Sequence, residues 1–311
     1  MIPVVMTSAH KPGGAGQAGT EGVLAMEPRD GAPGPLTNVA AVARALAGPV
    51  RPVLLDVRWR LGGPPGRDSY RAGHLPGAVF ADLDAELAAP PSQTGGRHPL
   101  PPASALQQGA RGWGLHDGQP VVVYDATGGL AAARAWWLLR WAGVADVRIL
   151  DGGLPAWIAA GLPTQLGEIV PVAGDVCLPG GQLPVIDADA AARLARDGVL
   201  LDARAPERYR GETEPVDRRA GHVPGAINAP AAANLTADGT FAAPRELALR
   251  YAALGVTAGR PVAVYCGSGV TAAHDIAALQ LAGVTAALFP GSWSAWSADP
   301  DRPAATGPAP G

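Results

Sequence analysis

The chain has little of what marks an extracellular, nucleic-acid-binding or membrane protein. Its 311 residues include only two cysteines, Cys177 and Cys266, so we expect no disulfide scaffold and a cytoplasmic location. Charged residues make up 16% and the net charge is −3, which argues against a nucleic-acid or anionic-membrane partner. No apolar stretch reaches the roughly 18 residues of a membrane span, and we predict no signal peptide.

The sequence also lacks the residue spacing of a metal site. Four of its histidines, His10, His98, His116 and His274, do not show the spacing of metal ligands. We therefore predict neither a metal ion nor a cofactor.

Glycine and proline are abundant, at 42 and 32 residues. Over residues 1–35 they occur without any hydrophobic periodicity, which predicts a flexible extension; Met1 and Met26 both remain candidate start residues. Beyond it they punctuate regular apolar segments. The remaining length is enough for two domains, each with its own core.

Short apolar strands alternate with helical segments from residue 36 onward. We predict strands at 53–57, 121–124 and 147–150, helices at 102–112 and 130–141, and a polar loop at 62–73. Thr37 is expected to cap a first helix that runs to Leu46. This alternation predicts an α/β fold with a parallel sheet covered by helices on both faces.

The same plan occurs twice along the chain. Four segments recur in order at an offset of about 140 to 148 residues, too long for a solenoid repeat: 54–58 with 200–204, 71–78 with 219–226, 121–124 with 262–265, and 151–157 with 290–296. We predict a tandem duplication, with a first domain at 36–160, a linker at 161–184, a second domain at 185–303 and a flexible tail at 304–311. Because the pairs Asp56/Arg58 and Asp202/Arg204 occur in both copies, we interpret them as structural ion pairs.

Cys266 stands where a predicted strand gives way to a glycine turn and a helix. Main-chain N–H groups and the positive end of a helix dipole favour an anion there, which predicts a thiolate nucleophile. Gly267 and Gly269 are expected to permit close approach and unusual φ values. The first copy has Asp125 at this place, in a loop one residue longer, and a carboxylate cannot carry sulfur. A lone cysteine at a strand end is otherwise a small buried hydrophobe, but the glycine pattern and the repeat favour the nucleophile.

The loop Cys266-Gly267-Ser268-Gly269-Val270-Thr271 resembles the active loop of the 3-mercaptopyruvate branch of two-domain rhodanese-like sulfurtransferases. Two Gly-His-x-Pro-Gly-Ala turns, beginning at Gly73 and Gly221, also match the family, and the resemblance covers residues 36–303. The thiosulfate branch has a basic pair after its cysteine, which this chain does not have. The resemblance implies two doubly wound, mainly parallel sheets and an inactive first copy.

The resemblance implies transfer of sulfane sulfur from 3-mercaptopyruvate to a thiol or to cyanide through a Cys266 persulfide, held by the loop amides. The acceptor would be a small thiol or a thioredoxin-like protein. Arg208 matches the family's first substrate-binding arginine, whereas Asp217 stands near the place of the second, and Arg218 is the nearest candidate to replace it. Since the stretch around Asp217 is closer to the thiosulfate branch, a thiosulfate:cyanide sulfurtransferase is the alternative.

The resemblance also implies a Ser-His-Asp relay, for which Ser268, His74 and Asp68 lie at similar motif positions. The competing interpretation is that His74 and His222 are turn residues bonded to backbone, because both copies have this histidine. Two further alternatives belong to other classes. A cysteine phosphatase needs an arginine at position 272, which is Ala272 here, and a non-catalytic binding module would tolerate loss of the cysteine.

Overall fold

The computed structural model describes residues 34–311. The predicted extension at 1–35, with His10 and both candidate start methionines, lies outside the described residues except for its last two positions. Within the described range, no helix combines the length and the apolar character needed to cross a membrane.

The first half of the described chain forms a five-stranded parallel sheet in the order β1-β5-β4-β2-β3. Its strands are β1 (Leu36–Thr37), β2 (Val53–Asp56), β3 (Val79–Phe80), β4 (Val121–Tyr124) and β5 (Val147–Leu150). Its helices are α1 (Val39–Ala47), α2 (Gly66–Arg71), α3 (Ala103–Gly112), α4 (Ala132–Ala142) and α5 (Gly153–Ala159).

The second half repeats this plan with a four-stranded parallel sheet in the order β7-β6-β8-β9. Its strands are β6 (Val199–Asp202), β7 (Ile227–Asn228), β8 (Val262–Tyr265) and β9 (Ala287–Leu288). Its helices are α6 (Ala188–Asp197), α7 (Pro206–Tyr209), α8 (Pro244–Ala253), α9 (Ala272–Leu281) and α10 (Ser292–Ala298), with a 3-10 helix at Ala231–Asn234. A parallel bridge between Val185 and Leu288 stands where β1 lies in the first half.

Both faces of the first sheet are buried. In β4, Val121 and Val123 belong to one apolar cluster, while Val122 and Tyr124 belong to another on the opposite face. Continuous apolar strands of this kind are typical of parallel sheets between helices. The structure therefore confirms the predicted α/β fold in two copies.

Two local predictions in the first domain are wrong. Thr37 lies in β1, and Asn38 caps α1 instead, because its side chain accepts a hydrogen bond from the Ala41 N–H at 2.8 Å. The segment predicted as a polar loop contains the short helix α2, whose Tyr70 is buried and donates to the Ala78 carbonyl at 2.8 Å. Tertiary burial of this one aromatic ring outweighs the weak local helix signal.

The two domains share one apolar core. Helix α4 of the first domain packs against α9 of the second, and residues of both belong to the same buried cluster. Both helices are buried on nearly every face. Many of the buried residues are alanines, whose small side chains allow the two helices to approach each other closely. This packing brings the start of each helix, and the loop before it, to the boundary between the domains.

Candidate active site

Cys266 follows directly on β8, at the carboxyl end of the second sheet. Its Sγ accepts a hydrogen bond from the Gly269 N–H at 3.1 Å, and the residue is only 2% exposed. Its own N–H donates to Ser292 Oγ at 3.1 Å, and its carbonyl accepts from the Trp293 N–H at 2.9 Å. The thiol therefore lies at the base of the predicted loop, with one amide already directed at it.

The two loop positions, 267 and 269, require glycine for different structural reasons. Gly269 has φ +79°, and a Cβ there would lie 2.6 Å from the Pro290 carbonyl oxygen, so only glycine fits. Gly267 lies outside the left-handed region, which corrects our expectation of unusual φ values for both. A Cβ on Gly267 would instead lie 3.1 Å from Arg97 Nη2 and 3.3 Å from Arg208 Nη1. Gly267 therefore leaves room for two cationic side chains beside the thiol.

The equivalent loop of the first domain encloses its own anion. The Asp125 carboxylate accepts four main-chain N–H bonds: from Thr127 at 2.8 Å and Gly129 at 2.9 Å on one oxygen, and from Ala131 at 2.8 Å and Ala132 at 3.0 Å on the other. The loop is one residue longer than its counterpart, as predicted, since α4 begins seven residues after Asp125 and α9 six after Cys266. This loop type is therefore a main-chain anion cradle.

In the second domain the corresponding amides are free. Among residues 34–311, the N–H groups of Ser268, Val270 and Thr271 meet no protein acceptor. They lie at the start of α9, where the helix dipole adds to their attraction for an anion. The cradle that Asp125 fills in one copy is open in the other.

Ser292 contacts the main chain of Cys266 through its hydroxyl group. It has φ +52°, the only left-handed residue other than glycine in the described part of the chain. Its Oγ accepts from the Cys266 N–H and donates to the Phe289 carbonyl at 2.9 Å. In the first copy Gly153 occupies the same place with φ +55°. The serine thus accepts an unfavourable backbone conformation in order to bridge two main-chain groups.

The histidine beside Ser268 is His98, from the first domain, and this corrects the predicted relay. His98 Nδ1 lies 2.7 Å from Ser268 Oγ, and its Nε2 lies 3.0 Å from Asp84 Oδ1. Burial lowers the pKa of His98 below 6.5, although the hydrogen bond with Asp84 opposes this. The ring is therefore neutral at pH 7. Because the carboxylate can only accept from Nε2–H, Nδ1 is the acceptor for the Ser268 hydroxyl.

His74 and Asp68, the residues we had predicted for this relay, lie elsewhere. His74 stacks on Tyr70 at 4.2 Å between ring centroids, and its nitrogens contact the Leu75 and Gly167 carbonyls at 2.9 and 3.2 Å. In the second copy, His222 likewise stacks on Tyr209, and its nitrogens contact the Tyr209 and Pro310 carbonyls at 2.8 and 3.2 Å. These histidines fasten a turn, as the competing interpretation held, and Asp68 is exposed beside Arg71.

Comparison of the two copies could have found His98. Thr240, Phe241 and Ala242 correspond to Gly96, Arg97 and His98, because the turns before them close with equivalent hydrogen bonds, from the Ser92 N–H to the Gly96 carbonyl and from the Thr236 N–H to the Thr240 carbonyl. A cationic and a titratable residue thus stand in one copy where the other copy has two apolar residues. The first copy thus has the polar residues in this segment, whereas the second copy has the cysteine in the other loop. This difference between the copies is the signal that we missed.

Charged side chains from both domains meet beside Gly267. Arg208 donates to Glu214 at 2.6 Å and to Asp217 at 3.2 Å, and Arg97 pairs with Asp217. Burial raises the pKa of the Asp217 carboxyl, in spite of the two neighbouring arginines. Arg208 thus lies beside the cysteine loop, and its role as a substrate-binding cation stays a prediction.

Arg218 does not reach this cluster. The Glu214 carboxylate accepts the N–H groups of Val216 and Asp217 at 3.1 and 3.0 Å, which forms a tight turn that directs Asp217 inward. Arg218, the next residue, is exposed. The cation opposite Arg208 is Arg97 of the first domain, and the prediction of Arg218 is wrong in this respect.

Arg134 crosses the domain boundary beneath the site. It is fully buried on α4 and donates to the carbonyls of Leu87, His98, Pro99 and Gly269 at 3.0 to 3.2 Å. Burial lowers its pKa to about 10, and the electrostatic interaction with the nearby Cys266 side chain opposes that shift. It forms no ion pair with a carboxylate of residues 34–311. Arg134 therefore links the loop that carries His98 to the loop that carries Cys266.

A cavity of about 390 Å³ opens beside His98 and Arg97 on the first-domain side. Its lining includes Trp59, Arg60 and Arg67 and does not include Cys266. In the described part of the chain, no cluster of three or more His, Cys, Asp or Glu side chains is arranged to hold a metal ion. The other cysteine, Cys177, is exposed and unpaired.

Comparison with known proteins gives consistent matches over both halves. The sequence profile of the Rhodanese-like domain matches residues 39–160 and 187–299. A Mycobacterium tuberculosis protein provisionally named thiosulfate sulfurtransferase SseB is 49% identical over 281 residues, which span 88% of this chain and 98% of that protein. A Pseudomonas aeruginosa protein provisionally named 3-mercaptopyruvate sulfurtransferase is 48% identical over 82% of this chain and 92% of its own length.

The crystal structure of SseA from Escherichia coli, described as a 3-mercaptopyruvate sulfotransferase with the rhodanese fold, superposes with a TM-score of 0.73. It is 30% identical in sequence, and the match covers 84% of this chain and all of SseA. The likeness therefore extends over both domains and their arrangement.

Proposed function

The chain belongs to the rhodanese-like family and is a sulfurtransferase, and we propose that it takes sulfur from 3-mercaptopyruvate through a persulfide on Cys266. One observation carries this proposal. The Cys266 sulfur accepts a hydrogen bond from the Gly269 N–H, beside main-chain N–H groups that have no acceptor, and the equivalent N–H groups of the first domain bind the Asp125 carboxylate. Main-chain N–H groups that hold one anion can hold another of similar shape.

The geometry of the twin loop suggests where the transferred sulfur would lie. The outer sulfur of a Cys266 persulfide is two bonds from Cβ, as each carboxylate oxygen of Asp125 is. An anionic outer sulfur would therefore reach the free N–H groups of Ser268, Val270 and Thr271. This supports the loop residues 267–271 as the groups that stabilise the intermediate.

In the first half-reaction, the Cys266 thiolate attacks the thiol sulfur of 3-mercaptopyruvate. A sulfur–sulfur bond forms, the carbon–sulfur bond breaks, and its electron pair passes to the pyruvate enolate. The proton that the donor's thiol loses returns to the enolate carbon, which leaves pyruvate and an anionic persulfide. We propose that Ser268 and His98 move this proton, with Asp84 fixing the tautomer of His98.

In the second half-reaction, an acceptor thiolate or cyanide attacks the outer sulfur, and Cys266 leaves as a thiolate. The acceptor in the cell would be a small thiol or a thioredoxin-like protein. A cytoplasmic location, in keeping with two unpaired cysteines, belongs to the same proposal and is testable by cell fractionation.

Thiosulfate is the second candidate donor. The paired guanidinium groups of Arg97 and Arg208 favour an anion, and thiosulfate carries two negative charges. The carboxylates of Glu214 and Asp217 beside them disfavour a dianion more than a single carboxylate, which is why we prefer 3-mercaptopyruvate. The ratio of initial rates with the two donors and cyanide tests this choice, and a strong thiosulfate preference would reverse it.

Mass spectrometry of the intact protein after incubation with 3-mercaptopyruvate tests the mechanism. We expect one added sulfur atom on Cys266, none in Cys266→Ser, and an unchanged yield in Cys177→Ser. Absence of an adduct with either donor would leave a binding module as the remaining interpretation.

A further inference from the structure

We infer that Arg97, contributed by the first domain, forms with Arg208 the subsite that binds the donor's carboxylate. The inference rests on the proposed function, because it names the residue that holds the same donor. It assigns a role in substrate binding to the domain that has no cysteine.

The two guanidinium groups converge beside the nucleophile. Arg97 Nη2 and Arg208 Nη1 lie 3.1 and 3.3 Å from the point where a Cβ on Gly267 would lie. Gly267 follows Cys266 directly. A donor whose sulfur approaches Cys266 therefore brings its carboxylate, a few bonds away, within reach of both cations.

Both arginines have a hydrogen-bond donor without a partner. The Nε–H groups of Arg97 and Arg208 are buried, and neither has a hydrogen-bond partner among residues 34–311. Buried N–H groups of charged side chains are nearly always paired, and an unpaired one is costly. A carboxylate, which accepts several hydrogen bonds at once, is the ligand class that would satisfy them.

The local charge balance also requires Arg97. The cluster contains the carboxylates of Asp202, Glu214 and Asp217, and the cations are Arg204, Arg208 and Arg97. Without Arg97 the cluster would carry a net negative charge and would repel an anionic donor. With it the cluster is neutral, and a donor carboxylate can take the place of Asp217 on the two guanidinium groups.

The test compares Arg97→Gln with the wild type in steady-state assays with 3-mercaptopyruvate and cyanide. Loss of a charged hydrogen-bond partner to a carboxylate should raise KM roughly 10- to 100-fold. We expect kcat to fall by much less, since the reacting atoms are untouched. Arg218→Gln, which removes an exposed arginine beside the cluster, is the matched control and should leave KM unchanged.

A purely structural role for Arg97, as the counterion of Asp217, predicts a different pattern. Asp217→Asn should lower KM by freeing both arginines. If Arg97 binds the donor, Arg97→Gln/Asp217→Asn has a KM well above that of Asp217→Asn alone. If Arg97 only neutralises Asp217, the two KM values coincide and the inference is wrong. Arg97→Lys should recover part of the loss, and circular dichroism of each variant checks that the fold is kept.

Protection of Cys266 against iodoacetamide by pyruvate separates this inference from the proposed function. Pyruvate carries the carboxylate but no sulfur, so its binding needs no turnover. Weaker protection in Arg97→Gln supports the subsite even if the wild type forms no persulfide, which would defeat the proposed donor alone. Equal protection and equal KM in the two proteins would defeat the subsite alone.

Discussion

At the scale of single residues, Ser292 is the most unusual feature near the thiol. Its left-handed backbone costs on the order of 1 kcal/mol for any residue other than glycine. The matching position in the first copy is Gly153, which adopts that conformation freely. A serine persists there because its hydroxyl joins the Cys266 N–H to the Phe289 carbonyl.

Replacement of Ser292 by alanine and by glycine should separate strain from hydrogen bonding. Ser292→Ala keeps the strained backbone and loses both hydrogen bonds, so we expect a loss of about 1 to 3 kcal/mol in the free energy of unfolding. Ser292→Gly loses the same bonds but relieves the strain, so it should be about 1 kcal/mol more stable than Ser292→Ala. Urea unfolding measures both. Equal stabilities would mean that the left-handed conformation carries no cost here.

His98 should set the acid limit of activity. Because burial lowers its pKa below 6.5, the ring stays neutral, and able to accept the Ser268 proton, down to a pH below that value. The rate of persulfide formation should therefore be flat near neutrality and fall only below pH 6.5. In His98→Gln the rate should be reduced and should no longer fall at acid pH, whereas His116→Gln, at an exposed histidine, should keep the acid fall in rate. If the rate of His98→Gln still falls at acid pH, another group is responsible for the fall.

At the scale of elements, the two loops show how one backbone shape serves two purposes. The loop after β4 closes on the Asp125 carboxylate, and the loop after β8 leaves its amides free beside Cys266. Shortening by one residue and exchange of one side chain convert a self-satisfied turn into an anion site.

Alanine at the two loop glycines should have effects of different kinds. Gly269→Ala forces a Cβ to within 2.6 Å of the Pro290 carbonyl at φ +79°, so the loop must rearrange and persulfide formation should fall by a factor of 100 or more, on the order of 3 kcal/mol. Gly267→Ala meets only the ends of Arg97 and Arg208, which can move. It should raise KM for the donor and leave thermal stability near that of the wild type. If both variants lose the same thermal stability, the two glycines do not have different structural roles.

Much of the fold could be predicted, because a strand such as β4 is apolar throughout and recurs at a fixed offset as β8. The loop around Cys266 could be placed for the same reason, since its glycines and the adjoining helix are local signals. The relay could not be placed from local patterns, because His98 contacts Ser268 across 170 positions of sequence, and only the difference between the two copies pointed to His98. The cap at Asn38 and the short helix α2 were missed because tertiary contacts decide them.

At the scale of the whole molecule, each domain lends a loop to the other. The Gly96-Arg97-His98 segment of the first domain lies against Gly267 and Ser268 in the second. The corresponding segment of the second domain lies against the first, where the Phe241 N–H donates to Asp151 at 2.9 Å and Gly239 approaches Gly128. The first of these contacts lies beside Cys266, and the second lies beside the loop that Asp125 closes. Under the proposed function, the first domain is therefore part of the active site although it has Asp125 in place of the cysteine.

Arg134 joins the two domains at the point where this exchange matters. Its guanidinium bonds to the carbonyls of His98 and Gly269, and the Gly269 N–H bonds to the Cys266 sulfur. A buried arginine with no carboxylate partner in the described chain is costly unless another anion lies nearby. A thiolate on Cys266, which the proposed function requires, would meet that need.

Removal of this cation should therefore lower both the stability of the protein and the reactivity of Cys266. Arg134→Met leaves the buried carbonyls of Leu87, His98 and Gly269 without this donor, so we expect a loss of about 2 to 4 kcal/mol in the free energy of unfolding. Without the positive charge, alkylation of Cys266 by iodoacetamide at pH 7 should be slower than in the wild type. Arg134→Lys keeps the charge but cannot reach all of these carbonyls, so it should lose stability and yet retain most of the wild-type alkylation rate. If Arg134→Met is alkylated as fast as the wild type, Arg134 only fastens the two domains together and does not act on the sulfur of Cys266.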